Sequence, residues 1–337
     1  MSLRTLLILL SGTVFFLTCE FLGIGGSDNQ EVDFETPVYA NVFFEKNHPD
    51  DATTHGIIAI NYDNPKEFKL LLSDSSTYYN LNLSPDGEKL LYSDVYAGSG
   101  TSPIYGVYNI DTKKKTLLDD EGWPVFGHES LDPVWDTNSA GFYFTNPVQA
   151  FSIDQSVLYY NLETKKGRLI KESYPHAIAP LGLLGTDSLF VYSNEYDSLP
   201  YYRMSTEGEY GKVINNPYLE FITENGLWQK GVIDFDWNDS LKLITASYLN
   251  QAEFDKFKII VTDLEGTFFK EFTSGVYFNR NPTWTKDGNI IFTEQRDLYD
   301  TQIDSELKII DLETGEIRPF FSKREYPEIT GIGTSDQ

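Results

Sequence analysis

NLSPDGEKLLYSD (82–94) sets a Ser-Pro-Asp-Gly turn ahead of an alternating run carrying Leu90, Leu91 and Tyr92. PTWTKDGNIIFTE (282–294) repeats the plan about two hundred residues later. Asp or Asn followed by Gly or Ser between alternating apolar runs is a strong local hairpin signal. The same turn recurs at Asn138-Ser139, Asp187-Ser188 and Asp239-Ser240, so residues 86, 138, 187, 239 and 287 stand at intervals of 52, 49, 52 and 48. Each turn is followed by a strand: EKLLYSD, AGFYFTN, LFVYSN, LKLITAS and NIIFTE.

A second hairpin follows each first one, in IYGVYNIDTKKKTLLDD (104–120), SVLYYNLETKKGRLIKE (156–172), IIVTDLEGTFFKEFTS (259–274) and LKIIDLETGEIRPFFS (307–322), with a weaker copy at 200–215. Four strands in about fifty residues, repeated, is the pattern of a β-propeller blade. A β-sandwich of many hairpins leaves the constant period unexplained. VYANVFFEK (38–46) and residues 55–74 supply three strands of a blade without its first. YPEITGIGTSDQ (326–337) supplies a first strand, and Asp336 falls 49 residues after Asp287. The expected fold is all-β: six blades of four antiparallel strands, closed where the C-terminal strand joins the N-terminal blade. Trp135, Trp237 and Trp284 sit on or beside first strands and are expected to pack between blades.

The run LNLSPDGEKLLYSD…IYGVYNIDTKKKTLL resembles the TolB-type propeller repeat. The likeness covers about 36–337 and is strongest in blades two, three and six. It implies architecture and leaves function open, because such repeats serve as binding domains, as gates beside peptidases and as sugar-processing enzymes.

Composition limits the choices. The 337 residues are 40% hydrophobic and 15% aromatic, ample for a core, and the formal charge is −25. Such a chain is repelled by nucleic-acid phosphates and by anionic lipid surfaces. No calcium-loop spacing is present, and neither a metal nor a cofactor is expected. Arg4 precedes an apolar stretch from Leu6 to Leu17, shorter than the roughly 20 residues that span a bilayer. Cys19, the single cysteine, closes that stretch. Leu17-Thr18-Cys19 resembles a bacterial lipobox, which makes 1–18 a signal segment, Cys19 the lipidation site, 19–35 a tether and 36–337 one propeller domain. The alternative is an incidental thiol in a simple signal sequence. On the first reading the protein is an envelope lipoprotein, periplasmic or surface-facing, touching membrane only through its anchor, and a monomer.

Function is expected on the face opposite the first hairpins, where the loops are long and unalike. The candidate binding residues there are Tyr96, Trp123, His128, His176, Tyr196, Trp228, Arg296 and Tyr299. Aromatics and arginine dominate binding energy at interfaces. The bland alternative is that the aromatics plug the channel or cover blade edges. Asp86 and Asp287 belong to turns and are read as structural. The histidines give no zinc spacing: His48 and His55 fall in one loop, His128 and His176 in blade connectors. No Gly-x-Ser-x-Gly elbow, catalytic α/β domain or phosphate loop is found. No catalytic residue is therefore assigned. Two functions remain: a non-catalytic anchored propeller binding a protein or glycan partner, or a glycan lyase or glycosidase with carboxylates or histidines over the channel.

Overall fold

The computed structural model describes residues 34–43, 55–74, 78–94, 103–120, 123–125, 133–145, 156–173, 178–193, 201–220, 234–249, 257–273, 278–295, 305–322 and 328–334. Blade one holds β1 (Pro37–Phe43), β2 (His55–Asn61) and β3 (Phe68–Asp74). Blade two is β4 (Tyr78–Leu83), β5 (Lys89–Asp94), β6 (Ile104–Asn109) and β7 (Lys114–Leu117). A small ribbon follows, β8 (Asp119–Asp120) and β9 (Trp123–Pro124). Blade three is β10 (Val134–Trp135), β11 (Gly141–Thr145), β12 (Ser156–Asn161) and β13 (Lys166–Glu172). Blade four is β14 (Ile178–Leu184), β15 (Ser188–Ser193), β16 (Tyr201–Ser205) and β17 (Tyr210–Val213). Blade five is β18 (Phe235–Asn238), β19 (Leu243–Leu249), β20 (Phe257–Asp263) and β21 (Phe269–Phe272). Blade six is β22 (Phe278–Trp284), β23 (Ile290–Gln295), β24 (Ser305–Ile310) and β25 (Ile317–Phe321), and β26 (Glu328–Gly333) ends the series.

Every blade is a four-stranded antiparallel sheet, and the sheet of blade one runs β26-β1-β2-β3. Closure is as the sequence implied: Tyr39 pairs with Gly333, Ala40 with Ile332 and Asn41 with Gly331. Side-chain bonds fix β26 on its other flank. The Ile329 N–H donates to Ser305 Oγ at 2.9 Å, and the Thr334 hydroxyl donates to the Trp284 carbonyl.

The hairpins form because their turn residues cap themselves. Asp86 Oδ1 accepts the Glu88 N–H at 3.0 Å, and Asp136 Oδ1 accepts the Ala140 N–H at 2.9 Å. In the second hairpins Asn109, Asn161, Asp263 and Asp311 each accept an N–H three or four residues on. These local acceptors replace the ladder bonds that a reversing chain loses. The left-handed position varies: Gly87 and Gly288 hold it in blades two and six, but Lys242 takes it in blade five.

Apolar residues lie mainly between blades. Trp135 joins Leu91 and Tyr105 of blade two, Trp237 joins Phe190 and Tyr201 of blade four, and Trp284 joins Ile259 and Val261 of blade five. All three indoles are buried, as expected from their place on first strands. Ile329 and Ile332 complete the seam with Ile291, Leu307 and Ile309 of blade six.

Burying these two isoleucines contributes roughly 1.5–3 kcal/mol each, against a typical domain stability of about 5–15 kcal/mol. Deleting residues 326–337 should therefore lower the melting temperature sharply or cause aggregation, although chain ends are ordinarily dispensable. Calorimetry checks this, and melting within about two degrees of the full chain would contradict the closure.

Candidate functional site

The first strands β4, β10, β14, β18, β22 and β26 surround a channel, and among the described residues none pairs with a strand on its channel side. Several depart from regular pairing. Register shifts occur at Tyr79/Asn82 in β4, at Pro180/Gly182 in β14 and at Arg280/Thr283 in β22. Asn80 and Asn281 stand at these shifts with φ of 53° and 49°, a conformation Asn tolerates better than most residues. Bulges of this kind re-aim side chains.

Side chains take over the bonding between neighbouring first strands. The Asn82 amide donates to the Pro133 carbonyl at 2.9 Å, and the Trp135 indole N–H donates to the Asn82 carbonyl at 3.3 Å. Between blades five and six, Asp234 Oδ2 accepts the Asn281 N–H and Asp236 Oδ2 accepts the Trp284 N–H, each at 2.9 Å. The Trp284 indole returns a bond to the Asp236 carbonyl at 3.3 Å. Asp239 Oδ1 reaches back to blade four, accepting the Gly185 N–H at 3.2 Å.

The space left is a cavity of about 480 Å³, within the range of ligand pockets. It reaches the first-hairpin rim, where Pro85, Thr137, Gly185 and Ser240 line it. Its wall carries Asn80, Asn82, Asn281, Thr283, Asp234, Asp236 and Asp239. Among the described residues, no three His, Cys, Asp or Glu side chains are grouped as a metal site requires.

None of the candidate binding residues named from sequence is among the described residues lining the cavity. Tyr96, His128, His176, Tyr196, Trp228, Arg296, Tyr299 and Cys19 lie outside the described residues. Trp123 sits in β9, so its connector begins as a paired ribbon. That ribbon is fastened to blade three: Asp120 Oδ2 accepts the Gly167 N–H at 2.8 Å, and the Tyr160 hydroxyl donates to the Asp119 carbonyl. His55, assigned from sequence to a loop, is the first residue of β2 and is buried. Asp234, Asp236 and Asp239 were not singled out as a group, although Asp234 and Asp236 alternate in VIDFDWND (232–239), the spacing of side chains directed to one side of a strand.

Asp287 proves to be a tie between blades. It accepts the Tyr62 hydroxyl from blade one at 2.7 Å, and the Thr285 hydroxyl beside it. Burial alone would raise its pKa, but the Thr285 and Tyr62 hydroxyls and the Asn289 N–H outweigh burial and hold it below the usual carboxylate value. Asp86 is lowered in the same way: burial opposes, and the Lys89 ammonium and Ser84 hydroxyl prevail. For Asp239 burial again opposes, and the Lys242 ammonium with the Gly185 N–H prevail.

No family model matches the sequence, and no curated protein matches it. Among solved structures, TolB from Acinetobacter baumannii is 13% identical over 95% of this chain and 70% of that one, with a TM-score of 0.59. A putative TolB from Agrobacterium tumefaciens is 12% identical over 88% and 93%, with a TM-score of 0.58. Oligogalacturonate lyase from Vibrio parahaemolyticus is 12% identical over 88% and 83%, at 0.48. The shared property at these identities is the fold, a TolB-like six-bladed propeller.

The lowered carboxylates set the acid response. Their unfolded pKa is about 4, and the folded values lie below it. The stability they add is complete above about pH 4 and is lost as pH falls through the folded values. Melting temperature should accordingly drop on acidification below about pH 4. Tyr62→Phe should lower the neutral-pH melting temperature by about 2 °C and make the acid decline shallower. An unchanged acid slope in that variant would remove Asp287 from the account.

Proposed function

We propose that this protein is a non-catalytic propeller of the bacterial cell envelope, anchored by lipid at Cys19, that binds a protein or glycan partner through its loops and channel. The observation supporting this reading is how the channel carboxylates are used. A glycosidase needs two carboxyl groups free to act as acid and base or nucleophile. Asp234, Asp236 and Asp239 are instead acceptors for backbone N–H groups that hold blades four, five and six together. What remains is a closed scaffold around a cavity, which suits recognition. The anchor reading rests on the short apolar segment ending at Cys19. No helix among the described residues is long and apolar enough to cross a membrane.

Cys19→Ser should move the protein from the membrane fraction to the soluble fraction, since the several acyl chains of a lipoprotein hold stably where one does not. Retention of the variant in membranes washed at high salt would contradict the anchor. Pull-down of the lipidated protein from solubilised envelopes, read by mass spectrometry, should recover a specific partner. Trp228→Ala should reduce that recovery with little change in melting temperature. A large loss of stability would make Trp228 a packing residue.

A further inference from the structure

The second strands β1, β5, β11, β15, β19 and β23 carry one polar residue each at a repeated position: Asn41, Ser93, Thr145, Ser193, Ser247 and Thr293. All six are buried. Four of them are bonded. Ser93 Oγ accepts the Asn80 amide, the Thr145 hydroxyl donates to the Ile178 carbonyl, and Ser193 Oγ accepts the Tyr210 hydroxyl, each at 3.4 Å. The Ser247 hydroxyl donates to Asp234 Oδ2 at 3.0 Å. Asn41 differs. It is 1% exposed, and among the described residues neither its Nδ2 nor its Oδ1 has a hydrogen-bond partner.

The two flanks of blade one are built differently. Asn41 lies in the seam with blade two, where β26 passes β4. A side chain on Gly331 would stand 3.0 Å from Asn41 Nδ2 and 3.2 Å from the Leu81 nitrogen, and one on Gly333 would stand 3.4 Å from the Leu83 nitrogen. The innermost strands therefore meet backbone to backbone, and the glycine edge of β26 interlocks no side chain with blade two. On the other flank Ile329 and Ile332 pack against Ile291, Leu307 and Ile309 of blade six. Ser305, the Trp284 carbonyl and the Tyr62–Asp287 bond fasten that seam further. The Thr293 hydroxyl also has no partner among the described residues and sits on the strand face of Ile291, so these ties hold blade six to blade one despite it. A buried carboxamide without partners is costly, and separation of the seam around it returns water to both of its polar atoms.

We propose that the ring opens between blades one and two, with blade one remaining attached to blade six through β26. Opening hydrates the Asn41 amide and parts β26 from β4. Leu81, Leu83, Gly331 and Gly333 line the channel cavity, so the gap is a side entrance to it. This inference goes beyond the binding reading and needs neither the anchor nor the partner proposed there.

Thiol labelling of single buried cysteines tests it, in the full chain carrying Cys19→Ser. Ala59→Cys reports on the seam of blades one and two, because Ala59 pairs with Tyr39 and shares the strand face of Asn41. Ala40→Cys reports on the seam of blades six and one, and Ala246→Cys on the seam of blades four and five. All three alanines are buried. When opening and closing are fast relative to labelling, the rate follows the open population. Ala59→Cys should label about tenfold faster than the other two. Its rate should also respond less steeply to urea, because a partial opening exposes less surface than unfolding. Asn41→Leu should slow Ala59→Cys labelling by about tenfold and raise the melting temperature, since no amide is then left to hydrate. Gly331→Ala, whose methyl presses on the Leu81 nitrogen, should speed it. Equal rates and equal urea slopes at the three sites, faster labelling of Ala40→Cys, or an Ala59→Cys rate unmoved by Asn41→Leu would overturn the proposal.

Discussion

The pairing of β26 with β1 is the constraint on which the rest depends. Blade one has three strands from the N-terminal part of the chain, and its innermost position is filled from the other end. By its ladder β26 belongs to blade one, and through Ile329 and Thr334 it is bonded to blade six. The Tyr62–Asp287 bond spans the same seam at the rim. Every other blade seam is made between segments adjacent in sequence, so it forms locally. This one closes nearly the whole chain into a loop, at an entropic cost that grows slowly with length. Once five blades stand in a ring, the two ends are already near each other. The closing strand then covers an edge that would otherwise stay exposed.

Closure also explains the use of acids. In a ring of sheets the innermost strand has a ladder on one side only, and its other backbone groups need partners from side chains or water. Asp234, Asp236 and Asp239 serve that need, as do Asn82 and the indoles of Trp135 and Trp284. Part of the acidic excess is therefore structural, placed where an N–H has no carbonyl opposite. At the outer edges the problem is met differently. Lys69, Lys114, Arg168, Lys212, Lys270 and Arg318 lie on the outermost strands, and Pro319 interrupts β25. Charge and proline on an edge discourage another strand from pairing with it.

Blade number, closure and the packing of the three tryptophans were legible because each depends on features that sequence writes directly. Turn residues recur at a fixed spacing, YPEITGIGTSDQ keeps the register, and Trp135, Trp237 and Trp284 share a position within the repeat. The channel was not legible in the same way. Its wall depends on bulges at Asn80, Leu181 and Asn281, and one extra residue in a strand changes which side chains face inward. The ribbon holding Trp123 was missed because two-residue strands have no periodicity to read. His55 was grouped with His48 in one loop, yet it opens β2.

The same bulges restrict what the channel can recognise. Pro180 and Pro282 fall at register shifts of innermost strands, and Pro133 stands just before β10. A proline offers no N–H, and a shifted register breaks the row of donors and acceptors that an incoming strand would need. Recognition by adding a strand to the inner edge is therefore blocked on three of the six walls. The groups open to the channel are instead side-chain oxygens and amides. Those groups are the carboxylates of Asp234, Asp236 and Asp239 and the amides of Asn80, Asn82 and Asn281.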